Sequence, residues 1–364
     1  MGTENHDRKP DNKRDGNRGT DILDELWTIG AWRRPWLRAA QVHLEDAGPA
    51  AYDDAELDIF ARLAAVSGLP KLANLPLELP RRHIPSQLYA VDVNRCFGLT
   101  FFYLTGKIYG LHVHRTAHDT AMETYERLVT RVKENMVWAF LPVSPNDRVI
   151  AIWACQGEHG VTIMARMELA GDVAIGRACG RSSKTICLSR GNQMTFVYGE
   201  PFESEPVKIV GACSGKTQPI DDADRLLQPA FPMQTTIATR FPDTYVSSAP
   251  LRDVRSVRVF YAKDTCRGML LWYKNGGVRA LGECRLFVDE SWAVAHPAAV
   301  CYRPLQYRAY KHVHHDGVIV YVARTARHSH EEDGWKCHDI GQGVLHFHYT
   351  TNRSYTISYE PNSL

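Results

Sequence analysis

The apolar positions change period along the chain. Over residues 1–20 there is no period: Asp, Asn, Arg, Lys and Gly dominate, and no aliphatic residue follows Met1. Such a stretch cannot bury enough apolar surface to offset the entropy of ordering it, which predicts a disordered tail. Over 21–68, Ile22, Leu23, Leu26, Trp27, Ile29 and Trp32 recur at helical spacing, followed by Leu57, Phe60, Leu63 and Ala64. That spacing predicts a short helical segment. Residues 69–87 carry Pro70, Pro76, Pro80 and Pro85. Each proline removes a backbone donor and disfavours helix before it, so this stretch reads as an extended Pro-rich connection.

From 88 to 364 the period is that of strands. A glycine, an apolar run, a turn and a second run recur: Gly98–Tyr103 with Lys107–His114, Gly160–Ala165 with Val173–Gly176, and Gly268–Tyr273 with Val278–Gly282. Gly317–Val322 and Gly343–Tyr349 begin two more strands. The Asn275-Gly276-Gly277 turn is a strong hairpin signal, because tight hairpin turns need positive φ. Spacings of 62, 108, 49 and 26 residues between the leading glycines exclude a fixed-period solenoid. One helical insertion is expected near 120–134, where Met122, Tyr125, Leu128 and Val132 share a face. The fold class expected is α+β, mainly β: a closed or sandwiched domain of related hairpins behind a short helical N-terminal segment.

Composition narrows the function classes. The 364 residues carry 43 Lys+Arg and 41 Asp+Glu, a net +2, with 44% hydrophobic and 23% charged residues. These values exclude collagen-like, wholly disordered and helical membrane-spanning classes. Near-neutral charge gives no electrostatic reason to expect nucleic acid or an anionic membrane as partner. No apolar leader follows Met1, so a cytoplasmic or nuclear location is expected. The nine Cys, without a C-x-x-C pair, are expected as reduced and mostly buried thiols. No feature specifies an oligomeric state.

The segment Cys266-Arg-Gly-Met-Leu-Leu-Trp-Tyr-Lys-Asn-Gly-Gly-Val-Arg-Ala-Leu-Gly-Glu-Cys-Arg285 resembles one found in a family of filamentous-fungal proteins. The Gly98–His114 hairpin, Trp138–Trp153 with Asn146-Asp147-Arg148, and Trp335-Lys-Cys337 look similar to other segments of that family. Its members often carry an F-box-like start, which Leu75-Pro-Leu-Glu-Leu-Pro80 resembles, although Pro80 and Pro85 stand where an F-box needs helix. The hairpins also resemble those of jacalin-like lectins. That likeness implies a β-prism-like fold, with 98–114, 149–176 and 257–285 as three related units around one axis, or otherwise a β-sandwich. No Gly-x-x-x-Asp sugar loop accompanies them.

Several motifs suggest chemistry without completing it. His112-x-His114 and His346-x-His348 place two imidazoles on one strand face, as a metal site would. His312-x-His314-His315-Asp316 and His328-x-His330-Glu331-Glu332-Asp333 flank strand 317–322 and read either as two solvated loops or as polar stretches that meet at one end of a hairpin and hold a divalent ion. Val207–Thr217 imitates a phosphate-binding loop, but Gly211 and Gly215 are separated by three residues instead of four, and Pro219 follows. Cys337-His338 are strand neighbours and face opposite ways. No metal and no cofactor is therefore expected, and the sequence assigns no catalytic residue. The candidate ligand site is Trp272, Tyr273, Asn275, Gly276 and Arg279, one aromatic ring beside turn amides and a guanidinium offering a stacking platform. The function expected is a non-catalytic intracellular binding module for carbohydrate or protein. The alternatives are a small-molecule enzyme of fungal secondary metabolism with a His-lined pocket, and an F-box-like adaptor remnant.

Overall fold

A computed structural model describes residues 88–157, 160–179, 183–199, 205–207, 209–214, 243–308 and 314–362. The expected tail, helical segment and Pro-rich connection lie outside these residues. Twenty strands are described. The first ten are β1 (Leu88–Asp92), β2 (Gly98–Leu104), β3 (Lys107–His114), β4 (Val137–Pro142), β5 (Val149–Gly157), β6 (Gly160–Met167), β7 (Gly171–Ile175), β8 (Lys184–Arg190), β9 (Met194–Gly199) and β10 (Val210–Ser214). The second ten are β11 (Thr244–Pro250), β12 (Val254–Ala262), β13 (Thr265–Tyr273), β14 (Val278–Gly282), β15 (Glu290–Ala295), β16 (Ala299–Arg308), β17 (His314–Ala323), β18 (Lys336–Asp339), β19 (Val344–Thr350) and β20 (Tyr355–Glu360).

They form six antiparallel sheets in two sets of three. The first set has orders β3-β2-β4, β7-β6-β5-β8 and β1-β9-β10. The second has β14-β13-β12-β15, β17-β16-β18 and β11-β19-β20. In each set the opening strand returns to pair with the penultimate one, so β1 lies on β9 and β11 on β19. The chain therefore runs through the same plan twice.

Side-chain detail repeats with it. The β2–β3 hairpin shifts register between Phe102 and Tyr103, and the β12–β13 hairpin between Phe260 and Tyr261. Gly110 lies opposite Phe102, and Gly268 opposite Phe260. A Cβ on Gly268 would stand 2.6 Å from the Leu281 carbonyl oxygen, so only glycine lets β14 approach. Both hairpin turns hold a non-glycine residue at positive φ, Thr105 at 49° and Lys263 at 55°. Tyr103 donates to the Ile175 carbonyl and Tyr261 to that of Val320, so each tyrosine ties its set's first sheet to its second. The expectation of three related units around one axis is corrected here. The hairpins at 98–114 and 257–273 are counterparts in different sets, each set holding three sheets of its own.

Period-two alternation builds the strands. In β12, Val257 and Val259 enter the main core, while Arg258 and Phe260 take the other face. A single apolar cluster draws residues from all six sheets, among them Phe101, Ile163, Phe196, Val257, Val320 and Phe347. The helical insertion is present as two pieces, α1 (Met122–Arg127) and α2 (Thr130–Lys133). The chain turns extended at Leu128, with ψ 147°, so the expected continuous helix is broken. Its apolar face is used nonetheless: Leu128, Met122 and Tyr125 pack on Phe102 and Trp138.

Glu283 is a buried carboxylate at the meeting of the two sets. It accepts from the Trp138 backbone N–H at 2.9 Å and from the Tyr355 hydroxyl at 2.7 Å. Truncation would take the acceptor from the buried Trp138 N–H and one acceptor from the Tyr355 hydroxyl. Glu283→Ala should therefore lower unfolding stability by about 3 kcal/mol or more. In a double-mutant cycle with Tyr355→Phe, chemical denaturation should give strongly non-additive losses; simple additivity would remove the proposed link.

Two buried imidazoles set an acid limit. His114 and His348 are held at about 4, against an ordinary 6.5, mainly by burial and secondarily by His112 and His346 beside them. Unfolding frees each to take a proton, so stability is complete above 6.5 and drains away as pH falls towards about 4. The loss approaches roughly 3 kcal/mol per residue. Urea midpoints measured across that range should fall with pH, and less steeply in His348→Gln.

Candidate functional site

Of the residues expected as a ligand platform, Asn275, Gly276 and Arg279 lie on the seam between the two sets, while Trp272 and Tyr273 make their contacts within the second set. Tyr273 is buried and its hydroxyl donates to the Pro250 carbonyl at 2.9 Å. Trp272, on the opposite face as expected, is half-buried beside Phe260 and Leu270, with the Arg258 guanidinium 5.7 Å from its ring. The Asn275 side chain donates to the Leu169 carbonyl at 2.9 Å and accepts from Gly277 N–H. Gly276 packs beside Leu169 and Asn146. Arg279 donates to the Ala170 carbonyl at 2.8 Å and to that of Ser248 at 3.2 Å. A tight asparagine–glycine turn beside an aromatic ring serves intramolecular docking as readily as ligand binding, and here Asn275 and Arg279 bond neighbouring chain.

The strand histidines are also committed. His114 shares hydrogen bonds with Thr100 at 2.8 Å and with the Asp119 carbonyl at 3.1 Å, so both its ring nitrogens are engaged. His112 bonds Thr124 at 2.8 Å. The Asp119 carboxylate turns away, accepting from the backbone of Arg115 and Thr116. His346 bonds Ser248 and Glu360, and His348 bonds Ser358. These contacts do not converge on a His-lined pocket. Gly211 of the phosphate-loop look-alike lies within strand β10, and residues 215–217 are outside those described.

All nine cysteines are free, and six are buried. A hydrogen bond from Cys179 lowers the pKa of the buried Cys155 thiol, against the effect of burial. Cys301 and Cys337 are different. They lie directly opposite each other on β16 and β18. His328 and His330, from the connection between β17 and β18, complete a group of four whose donor atoms all lie within 4.8 Å of one another. His328 Nε2 stands 3.0 Å from Cys301 Sγ and 3.4 Å from Cys337 Sγ, and His330 Nε2 stands 3.2 Å from Cys337 Sγ. Rings enclose the group: His330 stacks on Trp335 at 4.3 Å, and Tyr321 meets His330 edge-on at 5.6 Å. As expected, His338 faces the other way, stacked on Tyr359 at 3.8 Å.

This geometry brings together four candidate metal donors that the sequence left apart. The only sequence signal was His328-x-His330 followed by Cys337; Cys301 is brought in by strand pairing, which no local spacing reveals. Chemically, two sulfurs and two imidazole nitrogens suit a borderline-soft divalent ion.

An open groove lies elsewhere on the second set. It is lined by Tyr261, Lys263, Asp264, Glu290, Ser291, Trp292 and Ile319, with a volume of about 470 Å³. Trp292 is 38% exposed on strand β15, the edge of its sheet.

No protein family and no curated protein matches the chain. Among the described residues no helix is long and apolar enough to cross a membrane.

If the 272–279 cluster serves internal contacts, its loss reads out in stability. Tyr273→Ala should cost about 3–5 kcal/mol and Arg279→Ala about 2–3 kcal/mol in chemical denaturation. Unchanged midpoints would restore the idea of a surface platform.

Proposed function

We propose that the protein is a non-catalytic carbohydrate-binding module, each of its three-sheet sets a β-prism-like unit of the kind found in jacalin-like lectins. The repeated plan supports the fold reading: three small antiparallel sheets per set, with the first strand returning to close it. The observation that carries the function is the groove at Trp292. An exposed indole offers its face to the C–H side of a pyranose, while Asp264, Glu290 and Ser291 offer acceptors and a hydroxyl to the sugar's rim. The volume suits a mono- or disaccharide. The affinity expected of so open a site is modest, because few polar groups are buried with the ligand.

A protein partner is the second reading, favoured by one observation. Glu290, Ser291, Trp292 and Ala293 of edge strand β15 are all exposed, so a peptide strand has both backbone and side chains to pair with. Near-neutral net charge supports neither nucleic acid nor an anionic membrane as ligand. The adaptor reading depends on residues before 81, which lie outside those described.

A glycan array followed by calorimetry on the full chain tests the module. Trp292→Ala should weaken sugar binding by about tenfold or more while thermal unfolding stays put, as expected for losing one stacking ring. No glycan signal together with capture of a peptide strand would transfer the site to the second reading, and release of a cleaved sugar would make the protein an enzyme.

A further inference from the structure

We propose that Cys301, His328, His330 and Cys337 bind one zinc ion, in a structural Cys2His2 site that replaces a missing strand. The site is independent of the groove and stands whether or not a sugar binds there.

The first argument is geometric. Four donors at tetrahedral positions around zinc, with bonds of about 2.0–2.3 Å, are separated from one another by about 3.3–3.8 Å. The sulfur–nitrogen separations of 3.0, 3.4 and 3.2 Å lie within about 0.3 Å of that range. The second argument is the protonation pattern at His328. Its Nδ1 lies 3.1 Å from the Thr325 carbonyl, a contact only an N–H can make, so in the neutral ring that a metal requires Nε2 carries the lone pair. That single lone pair faces both sulfurs. It can accept a hydrogen bond from one thiol, not two, whereas one cation satisfies the lone pair and both sulfurs together.

The third argument comes from the repeat. In the first set the middle sheet has four strands, β7-β6-β5-β8, and β7 lays Ala174 over an outer apolar cluster around Trp153. The corresponding sheet of the second set, β17-β16-β18, has three. Where a counterpart of β7 would run, residues 324–335 take an irregular course across the outer face, over Ala299, Cys301 and Ala323. A loop of that length without ladder hydrogen bonds is costly to order. Two of its residues are the histidine ligands, and Trp335 at its end packs on the cluster under Arg303, which also pairs with Glu332. The ion would thus fasten the loop to β16 and β18.

The balance is simple. On binding, the thiols of Cys301 and Cys337 each release a proton to solvent, two Zn–S and two Zn–N bonds form, and nothing is oxidised. All four positions are taken by protein, which leaves none for substrate and makes the role structural.

Untagged full-length protein, purified under reducing conditions from zinc-containing medium, should carry about one equivalent of zinc by elemental analysis. Cys337→Ser and His328→Ala should each retain less than about a tenth of that, and Cys213→Ser, a thiol on β10, should retain all of it. Cys337 is exposed, so its serine variant is not expected to unfold the core. Cobalt exchanged for zinc should show thiolate charge-transfer bands and the intense visible bands of four-coordinate Co(II). Chelation should open the loop to trypsin at Arg324 and Arg327, which the loaded protein resists. Wild-type protein that takes up no zinc when offered an equivalent, or a Cys337→Ser/His328→Ala double variant that still holds one, would overturn the site. A native Cys301–Cys337 disulfide in reductant-purified protein would do the same.

Discussion

A buried carboxylate, Asp147, underlies the way the two sets of sheets meet. It accepts from the backbone N–H groups of Arg148, Leu169 and Ala170 at 2.8, 2.8 and 3.0 Å. That presents the carbonyls of Leu169 and Ala170 outward, and the second set reads them with Asn275 and Arg279. An unpaired polar group in such an interior costs a few kcal/mol, so the seam tolerates one register and no other. Glu283 repeats the device from the other side, gripping Trp138 and Tyr355. Apolar packing supplies the area between the sets; these directional contacts choose its alignment.

Given that alignment, the two sets vary where they do not touch. The central strand of each middle sheet presents one residue outward opposite a cysteine: Trp153 against Cys187 on β5 and β8, Cys301 against Cys337 on β16 and β18. In the first set the tryptophan fills the space itself, covered by Arg166 and Arg190 at 4.9 and 5.4 Å, with Arg166 held by Asp172. In the second set a small cysteine stands there, and a loop with two histidines descends over it. One solution uses an aromatic ring and guanidinium cover; the other brings four soft donors to a point. The groove at Trp292 adjoins this second face through β17, where Ile319 lines the groove and Tyr321, two residues on, packs against the histidines.

Much of the strand content was legible along the chain. The hairpins at 98–114, 160–176 and 268–282 stand where glycine, alternation and turn residues placed them, because strand formation and tight turns are governed by neighbours in sequence. The helical insertion was legible in composition but not in its break at Leu128, which packing on Trp138 imposes. The expected ligand platform has internal partners that the sequence could not reveal, for a related reason. Asn275, Gly276 and Arg279 have the chemistry of a binding turn, and the protein uses it to bind its own residues 169 and 170.

The sequence by itself determined a β-rich chain of small hairpins, its free and largely buried thiols, and the opposite facing of Cys337 and His338. Those properties depend on period, turn residues and side-chain size, all local. Tertiary structure alone decided that the plan runs twice, that Asn275 and Arg279 bond the first set across a seam, and that Cys301 meets His328, His330 and Cys337. These follow from pairings between strands tens of residues apart, and no spacing along a chain encodes which distant strand will lie alongside.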